Sequence, residues 1–217
     1  LRGISVAIEA GRLTLLSGGA DSGAGLLLRM LGLLERPDAG EIFFDSIPTA
    51  CLDDAARLDL RNHQFGFLFA EPFLLNSFTV AENVAMPLFK ISGFDIEQAR
   101  ARTAEVLAFT GLTAAADSTV DALSPLDHHK LSLARALAVA PQVLIAEDAG
   151  NQLPATPDLR EFGGLLRSVP DALGITVIAT FPAGPDLLRP DRDIRLEHGL
   201  VAADSQPIPA QEAPAHD

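Results

Sequence analysis

Apolar residues recur along this chain at two periods, and the change from one to the other marks out its elements. Ile4, Val6 and Ile8, then Leu13, Leu15 and Leu16, predict two strands parted by a turn at Ala10-Gly11. A glycine-rich stretch follows at 18–25, and then an apolar helix carrying Leu26, Leu27, Met30, Leu31 and Leu34. Arg36-Pro37-Asp38-Ala39-Gly40 breaks that helix. Residues 41–45 predict a short strand, 52–61 a helix, 65–69 a strand, 72–78 a loop and 80–88 a short helix. Asp95 and Gln98 have the spacing of a capping box, for a helix to about residue 108. A second helix start has Ser124 as N-cap, Pro125 at the first helical position and Asp127 three residues on, for a helix to about 139. The apolar run 143–146 ends in Glu147-Asp148, which predicts a central parallel strand with carboxylates at its carboxyl edge. A helix over 158–167, a strand over 175–180 and a hairpin around Glu197-His198-Gly199 complete the pattern. The alternation of strands and helices predicts an α/β sheet with crossovers, interrupted by a helix-rich insertion over 72–139. Residues 204–217, rich in Ala, Pro and Gln, predict a disordered tail.

Composition narrows the function. A chain of 217 residues, 48% hydrophobic and 21% charged, can bury a core without disulfides or metals. Sixteen basic against 29 acidic residues give a net charge of −13, so nucleic acid is excluded as a partner, because counterion release needs clustered Lys and Arg. One cysteine, Cys51, rules out a disulfide framework and a multi-cysteine zinc site, and it has no basic neighbour to activate it. The longest charge-free stretch, 172–185, is broken by Gly174 and Pro182 and is too short to span a bilayer. No signal peptide is expected at the start. His128 and His129 lack the spacing and third ligand of a metal site and are expected to be solvated; no metal site is expected elsewhere.

The glycine stretch Gly18-Gly19-Ala20-Asp21-Ser22-Gly23-Ala24-Gly25 carries the candidate chemistry. A strand, a glycine loop and a helix together offer free N–H groups and a partial positive charge to a phosphate. The pattern G-x-x-x-x-G-K-[ST] is met at Gly18 and Gly23 only, with Ala24 and Gly25 at the Lys and hydroxyl positions. The dinucleotide pattern, with its middle Gly relaxed to Ala, is met at Gly18, Ala20 and Gly23, with Asp45 placed as a ribose-binding acid. A tight turn without ligand is the third reading, and the loop by itself leaves all three open.

Five further runs carry a resemblance. Arg36-Pro37-Asp38-Ala39-Gly40-Glu41, Leu60-Arg61-Asn62 with Phe65-Gly66-Phe67-Leu68-Phe69, Phe73-Leu74-Leu75 with Glu82-Asn83-Val84-Ala85-Met86-Pro87-Leu88, Leu123-Ser124 with Ala134-Arg135-Ala136-Leu137, and Asn151-Gln152-Leu153 occur in that order. Together they resemble an ABC-transporter ATP-binding subunit of the lipoprotein-release and macrolide-efflux subgroup, over 1–203. The resemblance implies a P-loop NTPase-like (RecA-like), mainly parallel sheet, with an inserted helical subdomain over 72–139 and a small N-terminal antiparallel portion. It also implies a permease or a second ATP-binding subunit as partner, and a peripheral place at the inner, cytoplasmic face of the plasma membrane. The partner-contact candidates are Glu71, Phe73 and Glu82.

Position by position the resemblance also shows what is replaced. Ala24 stands for the phosphate-loop Lys, Gly25 for the magnesium Ser or Thr, and Asp21 for a loop glycine. Ala70 stands for the γ-phosphate-sensing Gln, and Phe181 for the switch His. Pro125, Leu126 and Asp127 replace the signature's glycines and glutamine beside the retained Ser124. Glu147-Asp148 reverses the second Walker pair, and Pro154 replaces the Asp of the following dimer loop. The adenine-stacking aromatic would precede Leu1. Phosphoryl transfer needs magnesium, cationic donors and an oriented water. A charge-assisted bond of the lost Lys type is worth about 1.5–3 kcal/mol, and each pre-organised donor about a hundred- to a thousandfold in rate. A silent pseudo-ATPase with neither ATP nor magnesium as resident cofactor is therefore expected, and residual ATP binding or hydrolysis is the alternative. A dinucleotide-dependent oxidoreductase is the distant third. Asp21 is expected to cap the loop helix, Arg29 to point away from the loop, and Phe181 to pack in the core.

Overall fold

The computed structural model describes residues 1–153 and 157–206. In chain order, β1 (Leu13–Ser17) feeds α1 (Ala24–Leu31), and β2 (Phe43–Phe44) and β3 (Ile47–Pro48) form a small hairpin. Helix α2 (Asp54–Gln64) leads into β4 (Phe65–Leu68). Helices α3 (Val80–Pro87), α4 (Ile96–Thr110) and α5 (Pro125–Ala138) then precede β5 (Val143–Ala146). The chain continues through α6 (Pro157–Leu173), β6 (Thr176–Ala179), α7 (Gly184–Leu188), β7 (Arg192–Glu197) and β8 (Leu200–Asp204).

Five strands run parallel in the order β4-β5-β6-β1-β7, and β8 closes the edge antiparallel to β7. Both faces of this sheet are covered, so its strands are apolar on both sides. Leu13, Leu15, Leu144, Ala146, Val177 and Ala179 face one cluster, with Leu133 and Leu137 of α5 and Phe162 and Leu166 of α6. Leu16, Ile145, Ile178 and Ile194 face the other, with Leu27 and Leu28 of α1. Helices α3, α4 and α5 pack on one another, as the helical insertion required. Two reciprocal capping boxes start α3 (Thr79 with Glu82) and α4 (Asp95 with Gln98). Arg102 donates to the carbonyls of Leu137 and Ala138, a cation on the free acceptors at the end of α5.

Several expectations change. Residues 4–8 form no strand: Ile4, Val6 and Ile8 pack half-buried against the second cluster, and the Ala7 carbonyl accepts from the Arg192 guanidinium. The small antiparallel portion is instead the β2–β3 hairpin. Helix α6 runs on to Leu173, past the expected end. Strand β8 reaches Asp204, whose carboxylate takes a two-pronged contact from Arg192 (2.9 and 2.6 Å) and is held below its usual pKa by those bonds. The rest of the expected tail, 207–217, and the Pro154 substitution lie outside the described residues. Among those residues no helix is long and apolar enough to cross a membrane.

Of the two histidines expected to be solvated, His129 is buried and His128 is partly exposed. The His128 ring is within 2.9 Å of the Val120 carbonyl. His129 is 2% exposed, its ring lies 5.5 Å from that of Phe162, and its Nδ1 has no hydrogen-bond partner. Burial first, and the neighbouring His128 second, push its pKa below the usual value. Below about pH 6.5 the unfolded chain takes a proton that the folded chain resists, so this stability is present above that pH and is lost on acidification. Urea denaturation at about pH 7.5 and about pH 5.5 is expected to show a smaller loss of stability for His129→Leu than for the wild type. Equal losses would place the acid sensitivity elsewhere.

Candidate functional site

Parallel pairing of β4, β5, β6 and β1 brings the loops at their carboxyl ends to one edge of the sheet, where ligands of open α/β folds bind. Beyond β1 lies the glycine loop, beyond β4 Ala70, beyond β5 Glu147 and Asp148, and beyond β6 Thr180 and Phe181. The loop from Gly18 to Gly25 therefore shares an edge with Glu147 and Asp148, and a Cβ at Gly25 would stand 3.8 Å from Glu147 Oε1.

The loop keeps the backbone its glycines allow. Gly18 has φ +153°, and a Cβ there would stand 2.5 Å from both the Leu196 carbonyl oxygen and the Ser22 side chain. Gly23, at φ +92°, is the N-cap of α1. The buried Ser22 hydroxyl accepts from the Ala24 N–H at 3.2 Å, and the Ser22 N–H donates to the Gly19 carbonyl at 3.0 Å. Gly19, Ala20 and Asp21 are exposed. Asp21 caps nothing: α1 has no side-chain bond at its N-cap, so the expected role falls away and a bare carboxylate stands on the rim. The Ala24 methyl is buried in the second core cluster.

The main surprise is Arg29. It does not point away: its Nη1 donates to Glu147 Oε1 at 2.5 Å, and its Nε lies 3.8 Å from Glu35 Oε1. A Cβ at Gly25 would lie 3.6 Å from that Nη1 and 3.8 Å from that Oε1. The ion pair thus lies beside Gly25, at ordinary contact distance from where a side chain would begin. No sequence signal pairs residues so far apart; only the one-turn spacing of Gly25 and Arg29 on α1 hints at it.

The second carboxylate is also engaged. Asp148 has φ +45°; its N–H donates to Thr180 Oγ1 at 2.7 Å, and the Thr180 hydroxyl donates to Asp148 Oδ1 at 3.1 Å. Ala70 offers only a methyl. The buried Phe181 ring packs on Gly163 of α6, as expected of core. Magnesium at a phosphate loop needs a Ser or Thr hydroxyl and a free acid beyond the facing strand. Here the hydroxyl is missing and both acids are bonded within the protein, so these residues do not match a magnesium-bound triphosphate. Among the described residues, no three His, Cys, Asp or Glu side chains converge on a metal position.

Asp45 does not end a strand of the main sheet. With Ser46 it forms the β2–β3 turn, at φ +47° and +66°, the type I′ geometry of a two-residue hairpin. The acid the dinucleotide pattern needs is therefore absent from the sheet edge. Ser124 belongs to the start of α5, where its Oγ accepts from the Asp127 N–H at 3.1 Å and donates to Asp127 Oδ2 at 2.8 Å. That helix start is satisfied by its own side chains.

The partner-contact candidates divide. Glu82 is engaged in the α3 capping box, its Oε2 accepting from the Thr79 N–H at 2.7 Å. Phe73 is 62% exposed with a left-handed backbone at φ +46°. Arg135 holds that conformation by donating to the carbonyls of Phe73 (2.8 Å) and Pro72 (2.7 Å), and burial lowers its pKa from the usual value. A run of ring contacts links Phe44, Phe65, Phe67, Phe69 and Phe73, with centroids 5.2–6.3 Å apart. Exposed Glu71 and Phe73 line a groove of about 390 Å³ with Leu74, Val120, Asp121 and His128.

Comparison with known proteins agrees with this arrangement. The family model described as ABC transporter matches residues 1–151. The lipoprotein-releasing system ATP-binding protein LolD of Paramagnetospirillum magneticum is 36% identical over 203 residues, covering 93% of this chain and 88% of that protein. The LolD of Myxococcus xanthus is 38% identical over 179 residues, covering 82% and 79%. Among solved structures, the dimeric post-hydrolysis state of the ATP-binding cassette MJ0796, bound to ADP and Pi, superposes with a TM-score of 0.80 at 28% identity, over 93% of this chain and 88% of that one. The chain belongs to the ABC transporter family, as an ATP-binding subunit homologous to those of lipoprotein-releasing systems.

Proposed function

We propose that this subunit is a catalytically silent member of its family, a pseudo-ATPase that acts by docking to a membrane permease subunit, to a second ATP-binding subunit, or to both. One observation carries the reading: every side chain placed to hold or attack a γ-phosphate is either replaced or bonded within the protein. Ala24, Gly25, Ala70 and Phe181 supply neither cation, hydroxyl, amide nor imidazole. Glu147 is bonded to Arg29, and Asp148 to Thr180. Losses of this kind need not add, but each donor alone is typically worth about a hundredfold or more. A Lys far along the chain does not compensate: Lys130 is bonded to Glu161 at 2.6 Å.

Docking is supported by what is retained. Phe73 stands exposed on a strained backbone that Arg135 fixes, and a residue held this way at a surface is a candidate contact. The names of the relatives place them in releasing systems and, for the cassette MJ0796, in a dimer. Docking to a permease would put this subunit at the cytoplasmic, inner face of the plasma membrane, as a peripheral component. Residual nucleotide binding is favoured by a separate observation, the intact glycine backbone at Gly18 and Gly23.

Calorimetry with Mg-ATP is expected to show no binding tighter than a Kd of about 1 mM. Micromolar binding that Gly23→Asp abolishes would replace silence with an ATP-binding switch. NAD and NADP are expected to leave the melting temperature unchanged. Phe73→Asp and Glu71→Lys, both at exposed positions, are expected to leave the fold intact by circular dichroism. They are also expected to reduce co-purification with a permease subunit from detergent extracts at least about tenfold, as loss of an aromatic anchor does. Wild-type protein that stays alone in those extracts would count against docking.

A further inference from the structure

His129 is a buried titratable group that the sheet edge leaves unused. It sits 2% exposed where α5 meets α6, with the Phe162 ring 5.5 Å away and no hydrogen-bond partner for Nδ1. A neutral imidazole is tolerated in such a seat; a charged one, unpaired and cut off from water, is not. The same helix walls the groove at Phe73. The His128 ring lines that groove and stands 2.9 Å from the carbonyl of Val120, which lines it too. Further along α5, Arg135 holds the carbonyls of Pro72 and Phe73, which also line the groove. The seat of one histidine therefore fixes where its neighbour and that wall stand.

We propose that His129 is an acid-operated catch: neutral, it seats the start of α5 on α6, and protonated, it lifts that start and reshapes the groove lined by His128 and Val120. Burial and the His128 charge both oppose its protonation, and no described acid favours it. The other charged groups of these elements are engaged or distant. On α5, Asp127 is bonded to Ser124, and Lys130 to Glu161 of α6 at 2.6 Å. Asp158 and Arg160 stand in the first turn of α6. Glu82 of α3 is closed in its capping box, Arg102 of α4 binds the far end of α5, and β4 carries no titratable group. The start of α5 is thus tied to α6 by one ion pair of modest strength and by the seated ring, while its far end stays anchored. Because the folded-state pKa lies below the usual value, the catch is closed at neutral pH and opens only as the pH falls below about 6.5. The use of the catch rests on the reading of the groove as a docking surface; its operation does not, and the test contains no partner.

The chain contains no Trp, so Phe73→Trp places a single fluorescent reporter on the groove of the whole protein. Its emission and the far-UV circular dichroism are followed together as the pH is lowered from about 7.5 to about 4.5. The emission is expected to shift with a midpoint below about pH 6.5, before any helical signal is lost. His129→Gln, which keeps a polar side chain but cannot titrate, is expected to abolish that shift in the reporter background. His128→Gln is expected to keep it. A shift that persists without His129, or that disappears with His128→Gln instead, would overturn the proposal. So would an emission change that only accompanies the loss of helical signal, because the acid response would then be global unfolding. Should His129→Gln fail to fold, His129→Leu takes its place. Should both fail, the order of the two transitions in the reporter protein decides, together with His128→Gln. Loss of permease co-purification at neutral pH, tested separately with Phe73→Asp, bears on docking and leaves this result untouched.

Discussion

Five strands that run the same way must deliver every connection leaving their carboxyl ends to one edge of the sheet. That constraint comes from the alternating apolar faces of β1, β5 and β6, each buried on both sides between α1 and the pair α5 and α6. Once the order β4-β5-β6-β1 is set, the glycine loop, Ala70, Glu147-Asp148 and Thr180-Phe181 become neighbours whatever they are made of. The fold therefore sets which residues share this edge independently of the chemistry they carry. Mutations there disturb little of the core, because the strands are held by Leu13, Leu15, Leu144 and Val177, all fully buried below it.

Electrostatics at the edge is self-contained. An exposed ion pair is typically worth about 0.2–1 kcal/mol, and Arg29 is 38% exposed, so its bond to Glu147 belongs near that range. It places a positive charge beside Glu147 where α1 meets the end of β5. The Asp148–Thr180 pair is shorter in reach and satisfies a residue with a left-handed backbone. Only Asp21 remains unengaged by the loop helix, and it presents negative charge where a phosphate would approach.

Elements whose start and finish are written in local side chains are legible in the amino-acid sequence alone. The capping box of Asp95 and Gln98, the Ser124-Pro125 helix start and the apolar run of β5 stand where the pattern puts them. Local reasoning fails where the deciding partner lies far away. Ile4, Val6 and Ile8 alternate as a strand would, yet no neighbouring strand pairs with them, and their side chains pack on the second cluster instead. Asp21 has the composition of a cap, but the left-handed Gly23 takes the N-cap position. His129 sits on the buried face of α5, against a Phe162 ring contributed by a later helix. Arg29 meets Glu147 across 118 residues, a distance no periodicity spans. Of the candidate site, the replaced groups are readable from the chain; what the remaining acids bond to is not.

The bond between Arg29 and Glu147 also ties a helix to the end of a strand. The guanidinium rises one turn into α1 and reaches a carboxylate just past β5. A Cβ at Gly25 would meet that guanidinium at 3.6 Å and the carboxylate at 3.8 Å, ordinary contacts that leave room for one methyl. Anything longer at 25 must share its space with an ion pair already made. Positions 25, 29 and 147 are therefore joined by touch, and residues in contact do not act independently.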